Sequence, residues 1–175
     1  VVLMFEKYVP ICFAVKRCEE IRGRKKFQKM FYLSKEAGMP IVEDFSWNNY
    51  GPYSRELASE LDSLCTMKFL EEKCIEVGVG KEYVYKITDE GTSFLKKSLP
   101  EEDQRYIRFG EILEILNKYD SSELEKISSV GFLKREGYDD SYIQDFLEYA
   151  KKYTPTNVKT GGDGFSDLLD RFKDL

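Results

Sequence analysis

The sequence predicts a mainly α protein that carries a small β-hairpin. Through most of the chain apolar residues recur at spacings of three and four, the period of a helix with one buried face. Two short runs break that period, KCIEVGV and EYVYKIT, which are β-rich and joined around Gly78 and Gly80, and they read as a hairpin. The chain has 175 residues, 42% hydrophobic and 14% aromatic, so it can bury a substantial core.

Each element has its own signal. A first helix is expected from about Phe5 to Ile21, with Pro10 ending a short first turn or kinking it. Gly23 breaks the pattern. Lys25 to Ala37 places Phe27, Met30, Phe31 and Ser34 on one side, with Leu33 and Ala37 extending it, and stops at Gly38 with Pro40 beyond. Met39 to Tyr53 reads as a connection that closes with Gly51 and Pro52 as turn residues. Ser54 can cap a helix running to Leu70, in which Leu57, Leu61 and Leu64 form the core face beside Ala58 and Cys65. After the hairpin, Thr88 can cap another helix whose first turn holds Asp89 and Glu90, where the helix dipole favours negative charge, and Phe94 and Leu95 supply its core contacts. The order helix, helix, turn, helix, hairpin, helix is that of a winged helix-turn-helix core, with the hairpin as wing.

Three further helices are expected as a C-terminal extension, over Glu101 to Tyr119, Ser122 to Arg135 and Asp140 to Tyr153. Their apolar faces are Phe109, Ile112, Leu113 and Leu116, then Leu124, Ile127 and Val130, then Ile143, Phe146, Leu147 and Ala150. TPTNVKTGGDG has the composition of a linker. The last segment, FSDLLDRFKDL, puts Phe165, Leu168, Leu169, Phe172 and Leu175 on one helical face. That face either docks on its own domain or a symmetry mate, or reaches a partner groove. The expected organisation is therefore a winged-helix-like domain over 1–98, an acidic helical extension over 99–153 packed on it, and a linker with an amphipathic tail helix over 154–175.

The net charge of -5 is unevenly spread: +1 over residues 1–100 and -6 over 101–175. Lys16 to Lys35 is locally basic, a feature that attracts anionic partners. Cys12, Cys18, Cys65 and Cys74 form no C-x-x-C pair, and the chain has no histidine, so they are expected to be reduced, mostly buried thiols rather than zinc ligands. The missing histidine also excludes Ser-His-Asp and Cys-His nucleophilic pairs. No stretch reaches the roughly 20 apolar residues of a membrane span, and the opening lacks the marks of a signal peptide. A cytoplasmic location without membrane attachment is the expectation.

For nucleic acid, the candidate phosphate contacts are Arg22, Arg24, Lys25, Lys26 and Lys29, with Arg55 at the start of the helix from Ser54 and Lys73 and Lys81 on the wing. The alternative for the basic cluster is a solvated charged face. A DNA-reading helix offers Arg, Lys, Asn or Gln to base edges. The helix from Ser54 instead offers Glu56, Glu60 and Asp62 among its polar residues, which phosphates repel. For a protein partner, the candidates are Tyr50, Tyr53 and Arg55, besides the tail residues Phe165, Leu168, Leu169, Phe172 and Leu175. Against that stands a structural role for YGPYS, in which glycine and proline turn the chain, the tyrosines pack and the serine caps. An enzyme reading rests on the acidic pairs Glu43-Asp44, Glu71-Glu72 and Asp139-Asp140, and on Glu71-Glu72-Lys73, which matches the E-x-K element of some metal-dependent nucleases. The spacing is common by chance. GGDG lacks the preceding strand and following lysine of a phosphate loop, so no catalytic, metal or cofactor residues are assigned.

The motifs GRKKFQKMFYLSK, YGPYSREL and YKITDEG together resemble the prokaryotic YwgA-like family and, more distantly, the Panacea domain found in antitoxin proteins. The matching residues are Gly23 to Lys29, then Tyr50, Gly51, Pro52, Tyr53, Ser54, Glu56 and Leu57, and the resemblance covers roughly residues 5–98. It implies a winged-helix-like core and a regulatory or antitoxin-type role, and it supplies no catalytic residues. The expected function is a non-enzymatic cytoplasmic regulatory module acting mainly through protein contacts or self-association. The alternatives are a sequence-specific DNA-binding regulator and a metal-dependent nuclease.

Overall fold

The computed structural model describes residues 5–99 and 103–175, and it is mainly α with small antiparallel sheets. A 3-10 turn, Glu6–Tyr8, leads into α1, Val9–Arg17. Pro10 lies in the first turn of α1, where its missing N–H costs nothing, so it starts the helix rather than kinking it. The helix stops at Arg17, short of the expected Ile21, and Glu19 turns the chain in a left-handed conformation (φ 64°). Ile21–Arg22 then forms β1.

Helix α2, Arg24–Glu36, is the centre of the molecule. Every residue from Phe27 to Ser34 is buried, so α2 is enclosed on all sides and not only on the expected stripe. Helix α3, Arg55–Thr66, is capped by Ser54, whose side chain accepts from Leu57 N–H. It ends at Thr66 and not at Leu70, because Lys68 takes a left-handed conformation (φ 62°) and Leu70 already opens a strand. The hairpin is β4, Leu70–Val77, and β5, Gly80–Ile87, paired from Leu70 with Ile87 to Val77 with Gly80. β1 adds to its other edge, giving the order β1-β5-β4. Thr88 caps α4, Asp89–Ser98.

The connection before α3 holds a second hairpin that the sequence reading missed. β2, Ser46–Asn48, pairs with β3, Gly51–Tyr53, so Gly51 and Pro52 are buried strand residues and the turn falls at Asn49 and Tyr50. Gly51 has φ 89°, and a β carbon there would meet Ser129 Oγ at 2.4 Å. Glycine is required on both counts.

Helices α5, Gln104–Leu116, α6, Ser121–Arg135, and α7, Asp140–Lys151, follow. The segment expected as a linker is helical. α8 runs unbroken over Pro155–Lys173, begun by a capping box between Thr154 and Asn157 with Pro155 in the first turn. Its glycines are packing residues: a β carbon at Gly161 would lie 2.7 Å from Lys126 O, and one at Gly164 would lie 3.0 Å from Ile127. Gly131 of α6 faces α8 in the same way. The glycine-rich seam lets the two helices approach closely, and this contact offsets the roughly 1 kcal/mol that each helical glycine costs relative to alanine.

One apolar core joins Val9, Phe27, Leu57 and Leu64 to Phe109, Leu124, Phe165 and Phe172. A smaller cluster of Val130, Leu133, Ile143 and Leu147 packs with Trp47 and Phe146. Of the four free thiols only Cys12 is fully buried; Cys18 and Cys65 are partly covered and Cys74 is exposed. Among the described residues, no helix is long and apolar enough to cross a membrane.

Candidate functional site

The first two turns of α2 carry GRKKFQK, the most basic stretch of the chain. Four of its side chains, Arg24, Lys25, Gln28 and Lys29, line a cleft of about 350 Å³. The β2-β3 hairpin supplies Tyr50 and Tyr53, α3 supplies Ala58, Leu61 and Asp62, and β5 supplies Tyr85. Two motifs read separately in the sequence thus meet at one place.

Gln28 fixes the hairpin to α2. Its amide nitrogen donates to Ser54 O at 2.9 Å, and Ser54 N–H donates to its amide oxygen at 2.8 Å. Lys29 is 1% exposed and donates to Pro52 O at 2.7 Å. Burial pushes its pKa down to about 7, with Glu125 pulling the other way and Lys151 and Lys25 adding to the depression. Lys25 donates to Glu125 at 2.7 Å, and Lys151 of α7 donates to the other oxygen of the same carboxylate. Burial acts to raise the Glu125 pKa, but the hydrogen bonds from Lys151 and Lys25 outweigh it and hold the carboxyl below its ordinary value. Two ammonium groups therefore share one carboxylate, and Lys29 lies near enough to feel its charge. Lys151 also donates to Asn49 O, and it lies 5.9 Å from the centres of the Trp47 and Tyr50 rings.

Arg24 closes the other side. Its guanidinium stacks 3.8 Å from the Tyr83 ring, donates to Tyr85 OH at 3.1 Å, and forks onto both oxygens of Glu72 at 3.2 Å. Tyr85 in turn donates to Glu72.

The basic cluster is part surface and part interior: the Arg22 and Arg24 side chains are more than half exposed, whereas Lys29 is buried. Arg22 pairs with Glu20 at 2.7 Å and reaches Glu82 at 4.0 Å, while Lys26 donates to Asn117 O at 2.7 Å. With Arg24, Lys25 and Lys29 partnered as described, all five basic side chains from Arg22 to Lys29 have acceptors within the molecule. Lys73 pairs with Glu71 at 3.5 Å, and Lys81 is exposed on the hairpin.

Of the residues marked for partner binding, Tyr50 is 61% exposed, Tyr53 half-buried and Arg55 exposed. The tail residues lie elsewhere: Phe165, Leu168 and Phe172 are buried against their own chain, Leu169 is half-buried and Leu175 exposed. The cleft and the tail do not meet. Glu60, expected among the exposed polar residues of α3, is buried and lies beside Glu43.

Two of the acidic pairs have members with local partners. Strand alternation puts Glu71 and Glu72 on opposite faces, Glu71 toward Lys73 and Glu72 toward Arg24. Asp139 caps α7 by accepting from Tyr142 N–H. Among the described residues, no three His, Cys, Asp or Glu groups come together as a metal site. The sequence reading missed Gln28, Asp62, Tyr85, Glu125 and Lys151 as cleft or cluster residues. Gln28 stood within the GRKKFQK motif, whereas Glu125 and Lys151 carry no local signal.

No family model matches the chain. It is similar to a protein of Bacillus subtilis (strain 168) whose description is "Uncharacterized protein YwgA", with 32% identity, covering 76% of this chain and 87% of that protein.

Proposed function

This chain belongs to the YwgA-like family, and we propose that it is a non-enzymatic cytoplasmic regulatory module, winged-helix in form, that works through protein contacts rather than by reading DNA. One observation carries this reading: the basic side chains from Arg22 to Lys29 already have partners within the molecule. Arg22, Arg24 and Lys25 are paired with carboxylates, and Lys26 and Lys29 with backbone carbonyls. Releasing them onto DNA would break those pairs, which reduces what these five side chains add to the counterion-release term that dominates DNA affinity and leaves it to exposed cations such as Arg55 and Lys81.

The winged-helix description is supported by the order of α1 to α4 and by the β1-β5-β4 sheet with its projecting hairpin. α3 occupies the place of a recognition helix, yet its exposed positions include Glu56 and Asp62. The surface offers a different chemistry beside α7, where Tyr138, Tyr142 and Tyr149 are exposed and Tyr138 stacks on Tyr142 at 4.5 Å. Rigid tyrosines are favoured in protein interfaces. An antitoxin-type role, implied by the more distant likeness to the Panacea domain, is one form such a module takes.

Selection from a pool of random duplex DNA, followed by sequencing, tests the reading. The expected result is no enriched sequence after successive rounds. Recovery of one consensus whose binding is abolished by Arg55→Ala would replace it with the DNA-regulator reading.

A further inference from the structure

We propose that the cleft between α2, the β2-β3 hairpin and α3 is a ligand site for a small organic anion carrying a flat nitrogenous ring, the chemistry of a nucleoside monophosphate. Three features of the cleft lead there. The first is an imbalance of charge. Lys25 and Lys151 already share the single carboxylate of Glu125, and Lys29, almost wholly buried beside them, has only the Pro52 carbonyl as a partner. A buried lysine without a counter-charge gives up its proton readily. An anionic group entering beside Lys25 and Lys29 would supply that counter-charge.

The second feature is the aromatic wall. Tyr50 and Tyr53 line the cleft together, and Tyr50 keeps most of its ring exposed although its flanking strands are fixed in place. Exposed tyrosine faces next to cations suit a flat ring bearing negative charge, since the ring can stack while the cations take the anion.

The third is Asp62, which lines the α3 side of the cleft. It repels an anion there and can accept a hydrogen bond from an N–H of the base, in the ring or on an exocyclic amine, so it sets the direction of the ligand: anionic group toward Lys25 and Lys29, base N–H toward Asp62. A volume of about 350 Å³ falls in the range of small-molecule sites, roughly 300–1,000 Å³. The site is independent of the protein-contact reading, which stands or falls on DNA selection.

The test is isothermal titration of the full chain with the common ribonucleoside monophosphates, and separately with adenosine and with inorganic phosphate. At least one monophosphate should bind saturably and about tenfold or more tighter than either adenosine or phosphate, since ring and anion are both used. Lys25→Ala and Tyr50→Ala, both at the rim, should each weaken that binding by about tenfold. At roughly pH 8 binding should also take up protons, seen as a buffer-dependent heat, because the anion restores the charge of Lys29. Absence of saturable binding by every monophosphate at millimolar concentration overturns the proposal. So does equal binding by adenosine or phosphate, or binding indifferent to both substitutions.

Discussion

The ring of Phe165 lies across the α carbon of Gly131: a β carbon placed on that glycine would stand 2.3 Å from the ring. Phe165 is itself buried, so the ring has nowhere to retreat. Gly131→Ala should therefore cost about 1–3 kcal/mol through overpacking, reduced by the roughly 1 kcal/mol of helix propensity that alanine returns. A raised denaturant midpoint would show that α8 sits loosely on α6.

The same contact decides what the tail does. Phe172 is 1% exposed, and Arg108 donates to its backbone carbonyl at 2.9 Å. Phe172→Ala should cost about 3–5 kcal/mol, and deletion of Phe165 to Leu175 should lower the unfolding midpoint at concentrations where the intact chain is monomeric. A truncated chain as stable as the parent would restore the picture of a tethered interaction helix.

Gln28 predicts a second large effect at a polar position. Its amide satisfies both the N–H and the carbonyl of Ser54, and all of these groups are buried. Gln28→Ala leaves two backbone groups unpaired at about 1–3 kcal/mol each. Urea unfolding reads the loss directly, and a change of a few tenths would mean that the hairpin is held by something else.

Glu60 and Glu43 make stability depend on pH. Glu60 is buried beside Glu43, and its pKa is pushed up to about 8, first by burial and then by the neighbouring carboxyl group of Glu43; Lys7 pulls it down and Glu56 pushes it up. The folded state then holds a proton that the unfolded chain, with an ordinary carboxyl near 4.5, gives up. Stability from this group is full below pH 4.5 and is lost as pH rises toward 8. Glu60→Gln should flatten that slope and leave the protein more stable near neutrality. The check is the unfolding midpoint across the window, and parallel curves for parent and variant would contradict it.

Much of the helical framework was legible because its signals are local. Ser54 and Thr88 cap the helices they were expected to cap, and the Leu57, Leu61, Leu64 face is buried. Leu61→Ala, at 4% exposure, should accordingly cost about 2–5 kcal/mol. What stayed hidden is long-range. GGDG looks like a linker until α6 is placed so close that a β carbon at Gly161 would lie 2.7 Å from Lys126 O, because glycine has the same local signal whether it frees a chain or admits a neighbour. Lys29 reads as a surface cation until α2 turns out to be enclosed, and the carboxylate that meets Lys25 lies 100 residues away in sequence.

Where the charges of Arg24, Lys25 and Lys26 are used is open to one direct comparison. Fluorescence anisotropy of labelled duplex DNA should be followed over a range of salt for the parent chain and for Arg24→Ala/Lys25→Ala/Lys26→Ala, with both proteins also unfolded in urea. The pairing of these side chains with Glu72, Glu125 and Asn117 predicts that the substitutions lower stability while the two DNA curves coincide, weak and indifferent to sequence. Tight parent binding that falls steeply with salt and is lost in the variant, at unchanged stability, would show the charges facing DNA and contradict the account.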